Sequence, residues 1–395
     1  MLAGTFKVML PEWLAAVAAA GQRVPEELVP ELSNWATRQH RELVKAVVGE
    51  LGSWLDMPGT PFRPDPDPAS FSWDEGTVEE RVALLESLRR SDPLAAIERI
   101  KSTWTVDKAE QRANFLRTLE HGLSPLDEPF LETVLDDKSI VARRVAVDLL
   151  ARIPGSALVR RVTETVRPCL TVVRKGILRK RAIEVSLLED LSPSLARYGV
   201  EKKGAPQGTG ERAWWTQQAI SLVPPSFWRE SLGMSTEELA EAAIQSEEEQ
   251  LLDTAWINAA LRYKDAEMAR ALLPVATGNL WAPIFAILSP ADREDAALNS
   301  DLREGLGRPG FTPPPAMRTS FFILYCEHPW SLSFTRAVAE RAANWPAAER
   351  LQELGRFACI DYLDEIPADA PPALLELASV LRFRREMHQA IQNRQ

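Results

Sequence analysis

Residues 130–153, with the sequence FLETVLDDKSIVARRVAVDLLARI, decide the fold class of this 395-residue chain. Apolar residues recur three and four positions apart on both sides of a short polar break, which predicts two amphipathic helices joined by a tight turn. The pattern extends upstream, where Thr77 and Glu80 form a capping-box sequence and Pro93 follows an Asp cap. We therefore expect five helices with short connections between residues 77 and 156.

The turn of the quoted segment also resembles part of a known repeat. The dipeptide Asp-Lys occurs at 107 and again at 137, each time opening the second helix of a pair. With Asp137 at the turn and Arg143 in the following helix, the segment resembles a HEAT-type repeat. In such repeats the Asp and the Arg are expected to support stacking between neighbouring units.

Helical patterns also fill most of the remaining chain, and AIEVSLL, residues 182–188, is the single candidate strand. The expected fold class is all-α, a HEAT-like α-α superhelix or solenoid in two helical halves joined by an irregular segment. The expected divisions are N-terminal helices (1–56), a Pro-rich loop (57–76), HEAT-like repeats ending in a basic segment (77–181), an irregular connector (182–209) and a C-terminal helical array (210–395).

Composition and charge exclude several classes of protein. Cysteine occurs three times, which argues against a disulfide framework, and no apolar run reaches the length of a membrane helix. Pro11 interrupts the region where a signal peptide would be apolar, so we expect a cytoplasmic protein. The net charge is −10, yet residues 138–181 alone carry +10, so the rest of the chain carries −20.

This basic segment is the best functional lead in the sequence. Its side chains are expected to form a stripe on one face of the repeats. Four interpretations of the stripe remain open. It binds nucleic-acid phosphates, it binds an acidic patch on a protein partner, it binds the acidic half of the chain itself, or it is a solvated surface. The candidate binding residues are Arg160, Arg161, Arg167, Arg174, Lys175, Arg179, Lys180 and Arg181.

Catalytic and metal-binding signatures are missing from the sequence. Cys326 and His328 stand two positions apart, but Cys359 is distant, and a structural zinc site needs about four ligands at recurrent spacing. No nucleophile motif and no phosphate-binding loop is present. We therefore expect no metal, no cofactor and no enzymatic activity, with a hydrolase of unrecognised type as a remote alternative.

A tryptophan-rich segment, residues 210–228 with the sequence GERAWWTQQAISLVPPSFW, suggests an aromatic platform at first sight. On a helix, however, Trp214 and Trp215 begin two adjacent apolar rows and so form one wide face. Trp228 follows a Pro-Pro break and is expected to pack back over that face. We predict a structural clamp where the two halves meet, with ligand binding as the second interpretation.

Two long blocks, residues 123–162 and 208–228, resemble a bacterial family of proteins of unknown function, number 5691 among the domains of unknown function. Residues 42–55 and 379–391 fit the same family in the expected order. Family members usually have a further N-terminal segment, so the resemblance implies a shortened chain. It also implies gene neighbours that include a MoxR-type AAA ATPase, a von Willebrand A-type protein and a SWIM zinc-finger protein.

The sequence thus leaves two main functional hypotheses. The favoured one is a non-enzymatic helical-repeat scaffold or adaptor that binds protein partners, of which a MoxR-type ATPase or von Willebrand A-type protein would be the first to test. The alternative is a nucleic-acid-binding helical-repeat protein, similar to helical-repeat DNA glycosylases, that uses the basic segment 160–181. Membrane association is not expected.

Overall fold

The fold is that of an all-α protein with one small β-hairpin, as seen in a computed structural model of the chain. The structure describes residues 8–35, 40–55, 73–74, 76–276, 280–299, 323, 325–342 and 354–393. Within these residues, successive helices pack against their neighbours along the chain in a solenoid-like manner, as predicted. No helix of this described part combines the length and the apolar character needed to cross a bilayer.

The chain forms two compact units, and the first unit is discontinuous in sequence. It consists of residues 1–67, 290–300 and 314–395, whereas the second unit consists of residues 68–289 and 301–313. The predicted arrangement in two consecutive halves is therefore not confirmed. The predicted Pro-rich loop, 57–76, lies almost entirely outside the described residues.

The first unit has a core made by helices from both ends of the chain. Leu14 and Val47 are fully buried in this core, and Met387 and Ile391 join them from the last helix. Glu12 also accepts hydrogen bonds from the buried Arg384 at 2.8 and 2.9 Å. The described helices of this unit are α1 (Leu10–Ala19), α2 (Val29–Trp35), α3 (Arg41–Leu55), α17 (Pro290–Asn299), α18 (Leu332–Ala342) and α19 (Pro372–Gln392).

The second unit begins with the five helices that were predicted between residues 77 and 156, and a sixth helix follows them. The capping box is present, since Glu80 N–H donates to the Thr77 side chain and Thr77 N–H donates to the Glu80 side chain. Asp92 caps the next helix and Pro93 occupies its first position. These helices are α4 (Val78–Ser91), α5 (Pro93–Thr103), α6 (Ala109–Thr118), α7 (Glu128–Val134), α8 (Ile140–Arg152) and α9 (Ala157–Val166).

The later part of the second unit is also helical. Arg197, at the end of a short helix, donates to Glu132 at 2.8 Å and to Asp136 at 3.0 Å, which ties the predicted irregular connector to α7. This hydrogen bond from Arg197 lowers the pKa of Asp136. The helices are α10 (Pro193–Arg197), α11 (Glu211–Ser221), α12 (Pro225–Leu232), α13 (Thr236–Ile244), α14 (Glu249–Tyr263), α15 (Ala266–Leu272) and α16 (Trp281–Ala286).

Asp137, in the turn between α7 and α8, makes side-chain contacts with the preceding helix pair, α5 and α6. Its carboxylate accepts hydrogen bonds from Arg112 and from the Trp104 indole, both at 2.9 Å. Arg143 donates to the main-chain carbonyl of Asp137 at 2.6 Å. One carboxylate thus connects α5, α6 and the turn before α8.

A related contact lies one helix pair earlier. Arg81 donates to both carboxylate oxygens of Asp107 at 2.7 and 2.8 Å, and its guanidinium lies 4.1 Å from the centre of the Trp73 ring. Arg112 likewise lies over the ring of Trp104. The Trp and Arg positions of the two contacts are each 31 residues apart, so the same arrangement recurs along the chain.

Candidate functional site

The last part of the basic segment, residues 170–181, is not a helical stripe, which corrects the sequence-based expectation. After α9 and a single turn of 3₁₀-helix, the chain forms an antiparallel hairpin of β1 (Leu170–Lys175) and β2 (Lys180–Val185). We call residues 170–185 the basic hairpin. The run LTVV at the start of β1 is rich in β-branched residues and favours a strand. Helix α9 ends at Val166, before this run begins.

The turn of the hairpin explains where the strands stop. Gly176 has a φ of 70°, and Arg179 has a φ of 48°, a left-handed conformation that is uncommon for a side-chain-bearing residue. The Arg179 N–H donates to the Gly176 carbonyl at 3.1 Å, which closes the turn. The candidate strand at 182–188 is confirmed as far as Val185.

The hairpin is held on the helical body by its second strand. Ala182 and Ile183 of β2 are completely buried, and β2 packs against α13. Just beyond α13, the Ser246 hydroxyl donates to the Ile183 carbonyl at 2.7 Å. Thr171 and Val172 of β1 are exposed, so one strand is anchored and the other faces outward.

The register places like charges opposite each other in the distal part of the hairpin. Arg174 is paired with Arg181, and Lys175 is paired with Lys180. Like charges directly opposite in an antiparallel pair destabilise it, by about 0.2–1 kcal/mol for each pair. With Arg179 in the turn, five cations and no acid lie within the eight residues 174–181.

Two acidic side chains, one on α13 and one just beyond its end, balance only part of the positive charge of the hairpin. The Lys175 ammonium lies 2.8 Å from Glu247, and the Arg181 guanidinium lies 3.0 Å from Glu238. The hydrogen bond from Lys175 lowers the pKa of Glu247. No ion pair is formed by Arg174, Arg179 or Lys180 with any residue that the structure describes; these cations are exposed.

A small cleft lies between the anchored strand and α13. Its volume is about 390 Å³, and Lys180 and Arg181 line it on the strand side. On the helix side it is lined by Glu238 and Glu241. The cleft thus has cations on one wall and carboxylates on the other.

The tip of the hairpin is apolar. Ile177 is fully exposed and Leu178 is 81% exposed. Full burial of such a side chain stabilises a complex or a fold by about 1.5–3 kcal/mol. Ile177 and Leu178 do not contribute this free energy to the fold, because both are exposed to solvent. The hairpin therefore combines a basic stem with an exposed apolar tip.

The other predicted cations lie outside this cluster. Arg160 donates to the Gly155 carbonyl at 2.6 Å, and Arg161 donates to the Tyr198 hydroxyl at 2.8 Å. Arg167 lies over the ring of Phe227, 5.5 Å from its centre. These three residues make local contacts around α9, so the structure splits the predicted set of eight into two groups.

The tryptophan segment lies within the second unit. Trp215 and Trp228 are buried, and Trp228 has no exposed surface, whereas Trp214 is half-buried. Helix α11, which carries Trp214 and Trp215, packs against both α9 and α14, so it joins elements before and after the hairpin. The prediction that two halves of the chain meet at this segment is not confirmed, since all these elements belong to one unit.

The residues considered for metal chemistry show no metal-binding arrangement in the part of the chain that the structure describes. The Cys326 thiol is buried, and burial raises its pKa to about 12. The His328 ring lies 3.4 Å from Glu294, while burial lowers its pKa.

One half-buried carboxyl group in the second unit stands apart from all these groups. Asp253 on α14 has a carboxylate oxygen that is buried and has no hydrogen-bond partner within the described structure. Burial, aided by the nearby Glu249 charge, raises the pKa of Asp253 to about 7. Asp253 therefore titrates near neutral pH.

Comparison with known proteins agrees with the blocks quoted from the sequence. A family model described as a family of unknown function, DUF5691, matches residues 1–391. The chain belongs to the DUF5691 family. No curated protein and no solved structure gives a significant match to this DUF5691 chain.

Sequence reasoning on the DUF5691 chain missed the tip residues and the acids that face the hairpin. The sequence KGILRK contained a signal for Ile177 and Leu178, because its Gly follows a β-branched run and precedes a second basic run. A Gly in this position predicts the turn of a hairpin. Glu238 and Glu247 had no such signal, because each lies more than 50 residues from its partner.

Proposed function

We propose that this chain is a non-enzymatic, cytoplasmic scaffold of HEAT-like helical repeats that binds an acidic protein partner through the basic hairpin. The observation that carries the proposal is the exposed apolar tip, Ile177 and Leu178, beside cations that lack ion-pair partners in the described structure. A basic patch next to an apolar one is suited to a protein surface, where apolar contacts form the centre and charged contacts the rim.

The charges of the hairpin support recognition rather than stability. The opposed pairs Arg174–Arg181 and Lys175–Lys180 weaken the hairpin, and an acidic partner would relieve the repulsion that they cause. Such complementarity chiefly raises the rate of association and the selectivity for the partner. The repeats would then serve as the rigid support from which the hairpin projects.

The first partners to test are the MoxR-type ATPase and the von Willebrand A-type protein that the family resemblance suggests. Each would be purified and titrated against the chain, with binding measured by calorimetry. We expect Ile177→Ser with Leu178→Ser to weaken binding at least tenfold. Val106→Ser is the matched control, because Val106 is 79% exposed and lies outside the hairpin.

A second pair of variants tests the charge contribution. Arg174→Glu with Lys180→Glu should abolish binding, while Lys202→Glu with Lys203→Glu, which makes the same change of net charge at exposed positions, should not. The proposal fails if neither partner binds and if pull-downs from the native host recover no other protein in stoichiometric amount.

Nucleic-acid binding is the second candidate function, and the same hairpin motivates it. Exposed cations can contact phosphates, and an apolar side chain such as Ile177 can wedge between base steps in a minor groove. Against this, the chain outside residues 138–181 carries −20 and would repel a long duplex.

The test is a fluorescence anisotropy titration of a 20-base-pair duplex at several salt concentrations. Binding that falls steeply with salt and disappears on charge reversal at Arg174, Lys175, Arg179 and Lys180 would favour this function. No binding at low salt would remove it.

A further inference from the structure

We propose that β1 of the basic hairpin receives an extended acidic segment of the protein partner as a third strand. The inference rests on the proposed function and names the form in which the partner is bound. A strand at the edge of a sheet presents unpaired N–H and C=O groups, and adding a peptide strand satisfies them.

The free edge of the hairpin is the outer edge of β1. The backbone of residues 170–175 forms no hydrogen bond outside the hairpin within the described structure, whereas on β2 the Ile183 carbonyl is bonded to Ser246. Thr171 and Val172 are exposed along the outward strand. A third strand therefore has room on β1 and not on β2.

The hydrogen-bond pattern shows which residues of β1 face that edge. Ser186 N–H donates to the carbonyl of Cys169, which is opposite it in the register, at 2.8 Å. Hydrogen-bonded pairs alternate with non-hydrogen-bonded pairs in an antiparallel ladder. Counting from the hydrogen-bonded pair Cys169–Ser186, Val172 and Arg174 belong to non-hydrogen-bonded pairs, so their backbone N–H and C=O groups point away from β2. The Ile183 carbonyl, opposite Val172, agrees with this assignment because it points away from β1 and accepts from Ser246.

Charge decides what kind of strand can be added. A second copy of this basic hairpin would bring like charges together along the new edge, so the cations disfavour self-association. An acidic segment would instead place a carboxylate opposite Arg174, which has no ion-pair partner in the described structure. Val172, which is 39% exposed, adds an apolar contact two positions away on the same face.

The geometry thus specifies the bound segment in chemical terms. It is extended and acidic, it has an apolar or β-branched residue two positions from a carboxylate, and alternate N–H groups of its backbone face β1. A helical acidic surface would satisfy the charges but would leave the edge of β1 unpaired.

The test uses a fluorescein-labelled peptide of twelve residues with three Thr-Ser-Glu-Ser repeats, so that a Thr lies two positions from every Glu. Its binding is measured by anisotropy beside two versions that are N-methylated, one at every Ser and the other at every Thr and Glu. All three peptides carry the same charge. In an added strand only alternate N–H groups face β1, so we expect one methylated peptide to lose at least tenfold in affinity and the other to bind within threefold of the parent.

A variant of the chain tests the same edge from the other side. Val172→Pro removes an outward N–H without removing a bond inside the hairpin, and Val172→Thr keeps the N–H as its matched control. We expect a loss of at least tenfold in peptide affinity for Val172→Pro and less than threefold for Val172→Thr. Circular dichroism and melting would show that both variants are folded.

The outcomes separate the two proposals. Equal binding of the two methylated peptides would refute strand addition while leaving an acidic partner in place. Failure of the parent peptide to bind, while the purified protein partner still binds through the hairpin, would refute an extended segment. If neither binds and pull-downs from the native host recover no other protein, the proposed function itself fails, and preference for a DNA duplex over the peptide would overturn both.

Discussion

The salt bridge between Arg89 and Asp127 offers a quantitative test of how the second unit is held together. Both side chains are buried, with exposed fractions of 0% and 1%, and two hydrogen bonds of 2.7 and 3.1 Å join them. The guanidinium also donates to the carbonyls of Leu119, His121 and Gly122. The pair thus fastens α4 to the turn between α6 and α7.

We expect Asp127→Ala to lower the free energy of unfolding by about 4 kcal/mol, because removal of one partner of a buried pair leaves an uncompensated charge, at a cost of about 3–5 kcal/mol. Glu201→Ala is the control, since Glu201 pairs with the largely exposed Arg144 and such pairs contribute about 0–1 kcal/mol. Urea denaturation followed by circular dichroism would measure both values.

The double variant Arg89→Met with Asp127→Leu separates charge from packing. It removes both charges and keeps the apolar volume, so it should be more stable than Asp127→Ala. If Asp127→Ala and Glu201→Ala lost equal stability, or if the double variant were the least stable of the three, the buried pair would not be the fastening that the structure indicates.

Three further predictions concern other parts of the molecule. Trp228→Ala should cost about 3–5 kcal/mol as a large core truncation, and the half-buried Trp214→Ala should cost less; equal melting temperatures would contradict this. Because the pKa of Asp253 is raised, the folded state keeps a proton that the unfolded state has released, and the free energy of unfolding falls as the pH rises from about 4 to 7. Asp253→Asn should therefore raise the free energy of unfolding by about 1–2 kcal/mol at pH 8 and by less at pH 5, as measured in urea titrations. Glu12→Gln should cost about 2–3 kcal/mol by removing the charged partner of the buried Arg384, and an unchanged thermal midpoint would show that this contact contributes nothing.

The sequence predicted those parts of the fold that depend on local chemistry. The capping box of Thr77 and Glu80 requires residues three positions apart, and the Asp92–Pro93 helix start requires adjacent ones, so both could be read directly. The position of Asp137 in a turn between two helices was also predicted, but its contact with Trp104 depends on residues 33 positions apart.

The hairpin and the buried pair could not be predicted in the same way. The sequence of residues 158–181 is compatible both with a helix that carries a stripe of charges and with strands of alternating pattern. The packing of Ala182 and Ile183 on α13 decides between them. Arg89 and Asp127 each look like an ordinary surface residue of a helix and of a turn. Only tertiary structure shows that they are buried together.

The discontinuity of the first unit has a consequence for synthesis on the ribosome. Its helix α1 carries Glu12, and Arg384, which donates to Glu12, is synthesised 372 residues later. At a translation rate of about 5–20 residues per second, the part of the α1 surface that packs against α19 stays uncovered for roughly 20–70 s. The second unit, which lies almost wholly within residues 68–289, can fold during that interval. We therefore expect the N-terminal helices to be the part of the nascent chain that most needs a chaperone.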